Sequence, residues 1–257
     1  MSRIYTPSGR ALEYSYLALN HYSGCSHGCR YCYARLMMTR FGRKFDEAQS
    51  AAPDVLSLVK KDAAQYAGTN KRVLLCFTTD PYQPLDLETG MTRRVIEILK
   101  ASDIPFQVLT KGGMRASRDF DLYGKYDAFA STLTFVSEKK SLQYEPGAAL
   151  PKDRFKAIEL AHIRGIETWA SLEPVIDPHE SLQIIHQTHG FVDLYKIGIL
   201  NHLASVTDWR AFGIAAIDLC QKYGKKYYIK QDLAKHLQGV AYTSTDTRLV
   251  ERLSQLF

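Results

Sequence analysis

Three of the chain's five cysteines, Cys25, Cys29 and Cys32, fall within eight residues, in the run Gly24-Cys25-Ser26-His27-Gly28-Cys29-Arg30-Tyr31-Cys32. Gaps of three and then two residues let one short loop carry three thiolates to three corners of an iron–sulfur cube, leaving the fourth iron without a protein ligand. Glycines at 24 and 28 permit the tight backbone path that such a loop needs. The competing chemistry is a zinc ion completed by His27 or His21, because three cysteines and a histidine form a common tetrahedral set. Zinc loops normally pair two C-x-x-C knuckles, whereas Cys76 and Cys220 are each isolated in sequence. An open iron can chelate the amino and carboxylate groups of a methionine moiety, which makes a four-iron, four-sulfur (4Fe-4S) cluster and S-adenosylmethionine the expected cofactors.

The elements that must position this loop alternate between strand and helix. Strand-like runs are Tyr14 to Asn20, Val73 to Phe77, Phe106 to Thr110, Ala128 to Phe135, Thr168 to Glu173, Leu194 to Ile199 and Lys226 to Lys230, most of them continuously apolar. Between them, Thr92 is placed to cap a helix over Arg93 to Ser102, Pro151 to open one through Ile163, and Asp177-Pro178 to start one over Glu180 to His186. Buried parallel strands joined by helices predict an α/β fold, a partial (open) βα barrel of about six parallel strands whose C-terminal ends collect ligands. A single domain is expected over residues 1–257, with a core of about 14–200 and a C-terminal extension of about 201–257. The runs Ser137 to Leu150 and Phe41 to Ala52 read as mobile loops, and Thr245 to Ser254 as a helix in a tail that closes the open barrel edge or packs on another subunit.

The segment from Leu19-Asn20-His21-Tyr22-Ser23 through the cysteine loop to Tyr33-Ala34-Arg35 resembles the radical S-adenosylmethionine superfamily, and more narrowly its spore photoproduct lyase-like branch. Further matches are Thr79-Asp80-Pro81-Tyr82-Gln83-Pro84, Met91-Thr92-Arg93-Arg94, Val108-Leu109-Thr110-Lys111 with Arg118-Asp119, and Glu145-Pro146, in that branch's order over roughly residues 15–200. His21 stands where the branch usually has proline, and the loop after Pro174 lacks its usual glycine–asparagine turn. The resemblance implies a radical SAM barrel and an enzyme, lyase-like or an oxidoreductase. In it, Cys25, Cys29 and Cys32 hold the cluster, while Tyr31, Thr78, Thr79, Asp80, Lys111, Ser131 and Glu173 are the cofactor-binding candidates. Asp80 has a second reading as the cap of a turn with Pro81, Lys111 as a surface lysine, and Tyr31 as an aromatic that excludes water from the cluster.

Three further residues are catalytic candidates: Lys196 and Lys230 near the ends of the last strands, and Cys76. Lyases of the branch use a cysteine to return a hydrogen atom, but a small residue in a buried strand is the plainer reading of Cys76, so repair activity is not carried over from the resemblance. The leading function is reductive cleavage of S-adenosylmethionine to a 5′-deoxyadenosyl radical that abstracts hydrogen from a substrate. A nucleic-acid base is the first choice of substrate, favoured by the net charge of +6 and by abundant tyrosine. A peptide or small metabolite is the alternative, and a metal-stabilised nucleic-acid-binding module without catalysis is the alternative of another class. Flavodoxin or ferredoxin is the implied electron donor. No membrane partner and a cytoplasmic location are expected, from the absence of a long apolar run and from cysteine usage unlike a disulfide scaffold.

Overall fold

The computed structural model describes residues 3–42, 44–201 and 205–251. Its strands are β1 (Ile4–Tyr5), β2 (Leu17–Leu19), β3 (Tyr22–Ser23), β4 (Gln49–Ser50), β5 (Val73–Leu75), β6 (Phe106–Thr110), β7 (Ala128–Thr132), β8 (Glu167–Leu172), β9 (Leu194–Ile197) and β10 (Lys226–Ile229). The helices are α1 (Tyr33–Arg40), α2 (Val55–Tyr66), α3 (Leu85–Thr89), α4 (Met91–Ala101), α5 (Glu138–Tyr144), α6 (Pro151–Ile163), α7 (Pro178–Thr188), α8 (Trp209–Lys222) and α9 (Gln231–Ala234). One sheet runs β1-β2-β5-β6-β7-β8-β9-β10, parallel throughout except for β1, and β3 pairs with β4 beside it. Seven parallel strands are thus present among the described residues, one for each of the seven strand-like runs in the sequence.

Side chains alternate across this sheet with period two, and the two sets have different fates. Val73, Leu75, Phe106, Val108, Phe129, Ala170, Leu172, Tyr195 and Ile197 join one core with the helix residues Val95, Ile96, Leu99, Ile158 and Ile184. The opposite set, Leu74, Ala128, Ala130, Trp169 and Leu194, packs inside the barrel against Tyr14. Tyr14 arrives there on a short 3-10 helix, Gly9–Glu13, that enters the barrel before the first parallel strand begins. The strand expected from Tyr14 therefore starts only at Leu17.

Several expectations are corrected. Thr92 lies inside α4, whose N-cap is Gly90; the Thr92 hydroxyl instead donates to the Pro81 carbonyl and meets His21. The stretch from Ser137 to Leu150 is no loose loop: it forms α5, capped by the Ser137 side chain, and carries the buried Glu145. The described part of Thr245 to Ser254 is extended rather than helical, because its backbone groups are spent on strands. Thr245 N donates to Tyr227 O, Arg72 N to Arg248 O and Val250 N to Asn70 O, so the tail links β10 to the start of β5. Residues 252–254 of that segment lie outside the described residues.

Lys196 also sits within the barrel, below the strand ends. Its Nζ donates to the Glu13 and Tyr14 carbonyls at 3.3 and 3.1 Å and lies 4.6 Å over the Trp169 ring. Burial pushes its ammonium down to about 7, from the usual lysine value of 10.5. Above that pH and up to the unfolded-state pKa, the unfolded chain holds a proton that the folded chain lacks, so this residue's contribution to stability rises with pH. Below it both states are charged and the burial penalty is felt in full. Lys196→Met is expected to remove the rise: in urea unfolding, the wild-type midpoint gains on the variant between about pH 6.5 and 9.

Candidate active site

The cysteine loop follows β3 and is gripped from two sides. Cys25 N donates to Phe45 O, Arg30 N to Tyr144 O and Gly147 N to His27 O, each at 2.8 Å. From below, the Gln83 side-chain amide accepts from Ser26 N and donates to Gly24 O. Gly24 has φ +76, and a Cβ on it would lie 2.2 Å from Glu47 O, so only glycine fits. Gly24→Ala is expected to cost about 1–3 kcal/mol in backbone strain alone and to lower iron uptake as well. Gly165→Ala, at φ +74 with open space around it, is the control that pays the backbone cost without displacing the loop. Iron per chain after reconstitution, together with thermal midpoints, separates the two effects.

The loop's far end is anchored by charge. The Tyr31 hydroxyl donates to Glu145 Oε1, and Glu145 pairs with Arg154, the two side chains being 0 and 1% exposed. Arg154 spends its remaining donors on the Ala149 and Thr132 carbonyls. Burial alone would raise the Glu145 carboxyl, but Arg154 and Lys111 outweigh it and hold it below the ordinary carboxylate value.

All three loop cysteines are reduced and line one cavity of ≈ 550 Å³ at the C-terminal ends of the parallel strands. Burial pushes the Cys29 thiol up to about 11, against the pull of Lys111, and raises Cys25 further. Groups so placed become thiolates when a metal replaces the proton. The two histidines that would complete a zinc set are engaged elsewhere. Both are buried, which lowers His27 to about 4 and His21 to about 3, so both are neutral. His27 Nε2 accepts from Arg115 at 3.3 Å, leaving Nδ1–H toward Asp80 Oδ2 at 3.5 Å. His21 meets Thr92 Oγ1 and the Cys76 thiol.

Opposite the cysteines, the cavity wall is polar. Glu173 accepts from the Tyr14 hydroxyl at 2.9 Å, from Asn201 Nδ2 at 2.9 Å and from Lys230 Nζ, while Ser171 Oγ lies 3.2 Å from the same tyrosine hydroxyl. Burial lowers the Lys230 ammonium to about 8, against the upward pull of the Glu13 carboxylate, and its Nζ is ion-paired with Glu173. Between the two walls, Tyr14, Phe77 and Tyr33 form an aromatic edge with ring centroids 5.4 and 5.9 Å apart.

Residues 19–192 match the model of the Radical SAM superfamily. The chain belongs to that superfamily, and is a radical SAM enzyme. Among its relatives is an uncharacterized protein of Methanocaldococcus jannaschii, 27% identical over 192 residues, covering 73% of this chain and 71% of that one. An uncharacterized protein of Mycobacterium tuberculosis is 27% identical over 179 residues, covering 66% of this chain, which spans about half (52%) of that relative's length. The fold is similar to that of spore photoproduct lyase complexed with dinucleoside spore photoproduct, at TM-score 0.67, 12% identity, and 89% and 80% coverage of this chain and that one. It is also similar to Streptococcus suis SuiB bound to S-adenosylmethionine, at TM-score 0.60, 10% identity, and 82% and 45% coverage.

Within this radical SAM barrel, Tyr31, Thr78, Thr79, Asp80, Lys111 and Glu173 all line the cavity with the three cysteines. The Thr79 hydroxyl is buried there beside the Cys76 thiol, without a hydrogen bond of good geometry. Asp80 is spent within the protein: Oδ1 accepts from Tyr82 N and Thr110 Oγ1, Oδ2 from Lys111 N, so the turn-capping reading describes it. Ser131 is misplaced as a cofactor contact. It shares the helix-facing parity of Phe129, and its hydroxyl donates to Thr110 O at 2.7 Å, whereas its neighbour Thr132 lines the cavity. Of the catalytic candidates, Cys76 and Lys230 line the cavity and Lys196 does not. Tyr14 and Ser171 carried no signal in the sequence, since Tyr14 lies 157 residues from the serine it meets.

Cys76 ends β5 in an unusual way. Its φ is +56, so the strand stops at Leu75 and strand alternation no longer decides where the thiol points. Sγ lies 3.4 Å from His21 Nδ1, at the position where the branch usually has proline. Burial pushes the thiol up to about 12, which keeps its hydrogen on sulfur at neutral pH.

Proposed function

We propose that this chain binds a 4Fe-4S cluster on Cys25, Cys29 and Cys32 and acts on S-adenosylmethionine laid across the strand ends, with a nucleic-acid base as substrate. The observation that carries the reading is that one short loop brings three reduced thiols to a cavity at the C-terminal mouth of a parallel barrel. When bound, the cluster supplies one electron to the sulfonium, which breaks the carbon–sulfur bond, frees methionine and leaves a 5′-deoxyadenosyl radical able to take hydrogen from a substrate carbon. The chain's own residues orient and exclude. Thr79 offers a hydroxyl and Lys111 a positive charge to the methionine end, and Glu173 a carboxylate to hydroxyl groups. Tyr31, packed under Lys111 at 5.6 Å, keeps water from the loop.

Support for a base comes from the aromatic edge of Tyr14, Phe77 and Tyr33, which is suited to stacking, from the net charge of +6, and by analogy from the lyase complexed with a dinucleoside. Cys76, protonated and at the cavity wall, is the candidate to return a hydrogen atom to that base, and Lys230 the candidate to meet the substrate's polar end. A peptide or small metabolite is the second reading, favoured by a cavity of ≈ 550 Å³ that has room for either. The test is stimulation of 5′-deoxyadenosine release by added substrates under reducing, anaerobic conditions. DNA or RNA carrying modified bases is expected to raise it several-fold; stimulation by peptides or metabolites alone would overturn the nucleic-acid reading.

A further inference from the structure

We propose that the exposed face of α1 is the docking surface for a small acidic one-electron carrier of the flavodoxin or ferredoxin kind; this rests on the reading of Cys25, Cys29 and Cys32 as cluster ligands. Helix α1 inverts the usual amphipathic arrangement. Among its eight residues only Ala34 is buried, while Leu36 (49% exposed), Met37 (36%) and the adjoining Phe41 (73%) project to solvent. At 100° per residue these three and Arg40 share one face, so they make a continuous apolar stripe with a cation in its midst. None of them lines the cavity.

Position and charge choose the occupant. Cys32 is the N-cap of α1, and Leu36 N donates back to Cys32 O, so the helix leaves directly from the last cluster ligand. At a rise of 1.5 Å per residue, Leu36 is about 6 Å along the axis from Cys32 and Phe41 about 14 Å. A partner seated on the stripe is therefore close to the cluster without entering the substrate cavity. The described residues from 30 to 47 include four cations, Arg30, Arg35, Arg40 and Lys44, against two carboxylates, Asp46 and Glu47. Both carboxylates are already paired, with Arg35 and Lys44, and Arg30 and Arg40 are exposed. An apolar stripe that carries the exposed Arg40, with the exposed Arg30 just before the helix and no unpaired carboxylate among the described residues 30–47, fits an acidic protein surface. The step moves one electron and no atoms: the carrier is oxidised by one electron and the cluster reduced by one.

The test compares two reductants in wild type and in the double variant Leu36→Glu/Phe41→Glu. With dithionite, 5′-deoxyadenosine release is expected to agree within about twofold; with enzymatically reduced flavodoxin, the variant is expected to fall at least about tenfold. Calorimetric binding of flavodoxin to the cluster-free chain is expected to disappear in the variant, and to weaken in wild type as salt rises from about 0.05 to 0.3 M. The binding readout needs no cluster, so it judges the surface even if dithionite yields no 5′-deoxyadenosine, a result that would count against the cluster reading instead. Unchanged flavodoxin binding and flavodoxin-driven rate in the variant would overturn the proposal. So would a wild-type dimer, or retained nucleic acid, that the variant loses while flavodoxin binding persists.

Discussion

Cys29→Ala is expected to abolish S-adenosylmethionine cleavage while the polypeptide stays folded. The loop's path does not depend on any of its thiols: it is fixed by backbone bonds to Phe45, Tyr144 and Gly147 and by the Gln83 amide. The barrel's stability comes from its helix-facing core, to which the loop cysteines contribute nothing. Pushed up to about 11 by burial, the Cys29 thiol stays protonated at neutral pH in the folded and the unfolded apo chain alike, so its loss removes only a small apolar contact. Urea unfolding of the cluster-free variant is expected to match that of cluster-free wild type within about 1 kcal/mol, with 5′-deoxyadenosine release reduced to background. General unfolding of the variant would instead favour the alternative in which a metal only holds a binding module together.

Arg154→Ala is expected to have the opposite signature, with stability lost first and activity following. It would strand the Glu145 carboxylate, whose side chain is 0% exposed, without its partner, and such a loss costs roughly 3–5 kcal/mol. The Thr132 and Ala149 carbonyls would lose donors as well. Because Arg154 and Lys111 hold the folded Glu145 carboxyl below its unfolded value, the wild-type pair contributes fully above the unfolded pKa and fades as pH falls through the folded one. The gap between wild type and variant, read by chemical denaturation, should therefore widen from about pH 4 to pH 7. Replacing both partners, as Glu145→Gln/Arg154→Met, is expected to cost less than Arg154→Ala alone. Since Tyr31 hangs on the same carboxylate, Arg154→Ala should also lower iron uptake by the loop.

The two residues whose loss is expected to matter most differ in how visible they were. The cysteine loop was legible because ligand spacing within eight residues is a local property, and the barrel was legible because buried parallel strands read as apolar runs. Parity was not. Ser131 and Thr132 are adjacent, and which of them faces the cavity depends on which face of β7 the helices cover, a fact fixed only by the assembled layers. Height along the barrel was equally hidden: Lys196 and Lys230 both point inward, yet one lies beneath Tyr14 and the other beside Glu173. The Glu173 network joins residues from positions 14, 171, 201 and 230, and no window of sequence contains it. The left-handed backbone of Cys76, which ends β5 at Leu75, was likewise invisible in the sequence.

The most direct measurement of the central claim is iron content and product analysis on one anaerobically reconstituted sample of the full chain, given dithionite and S-adenosylmethionine. The account predicts about four irons per chain and release of 5′-deoxyadenosine and methionine. Zinc in place of iron, or a cluster that leaves S-adenosylmethionine intact, would contradict it.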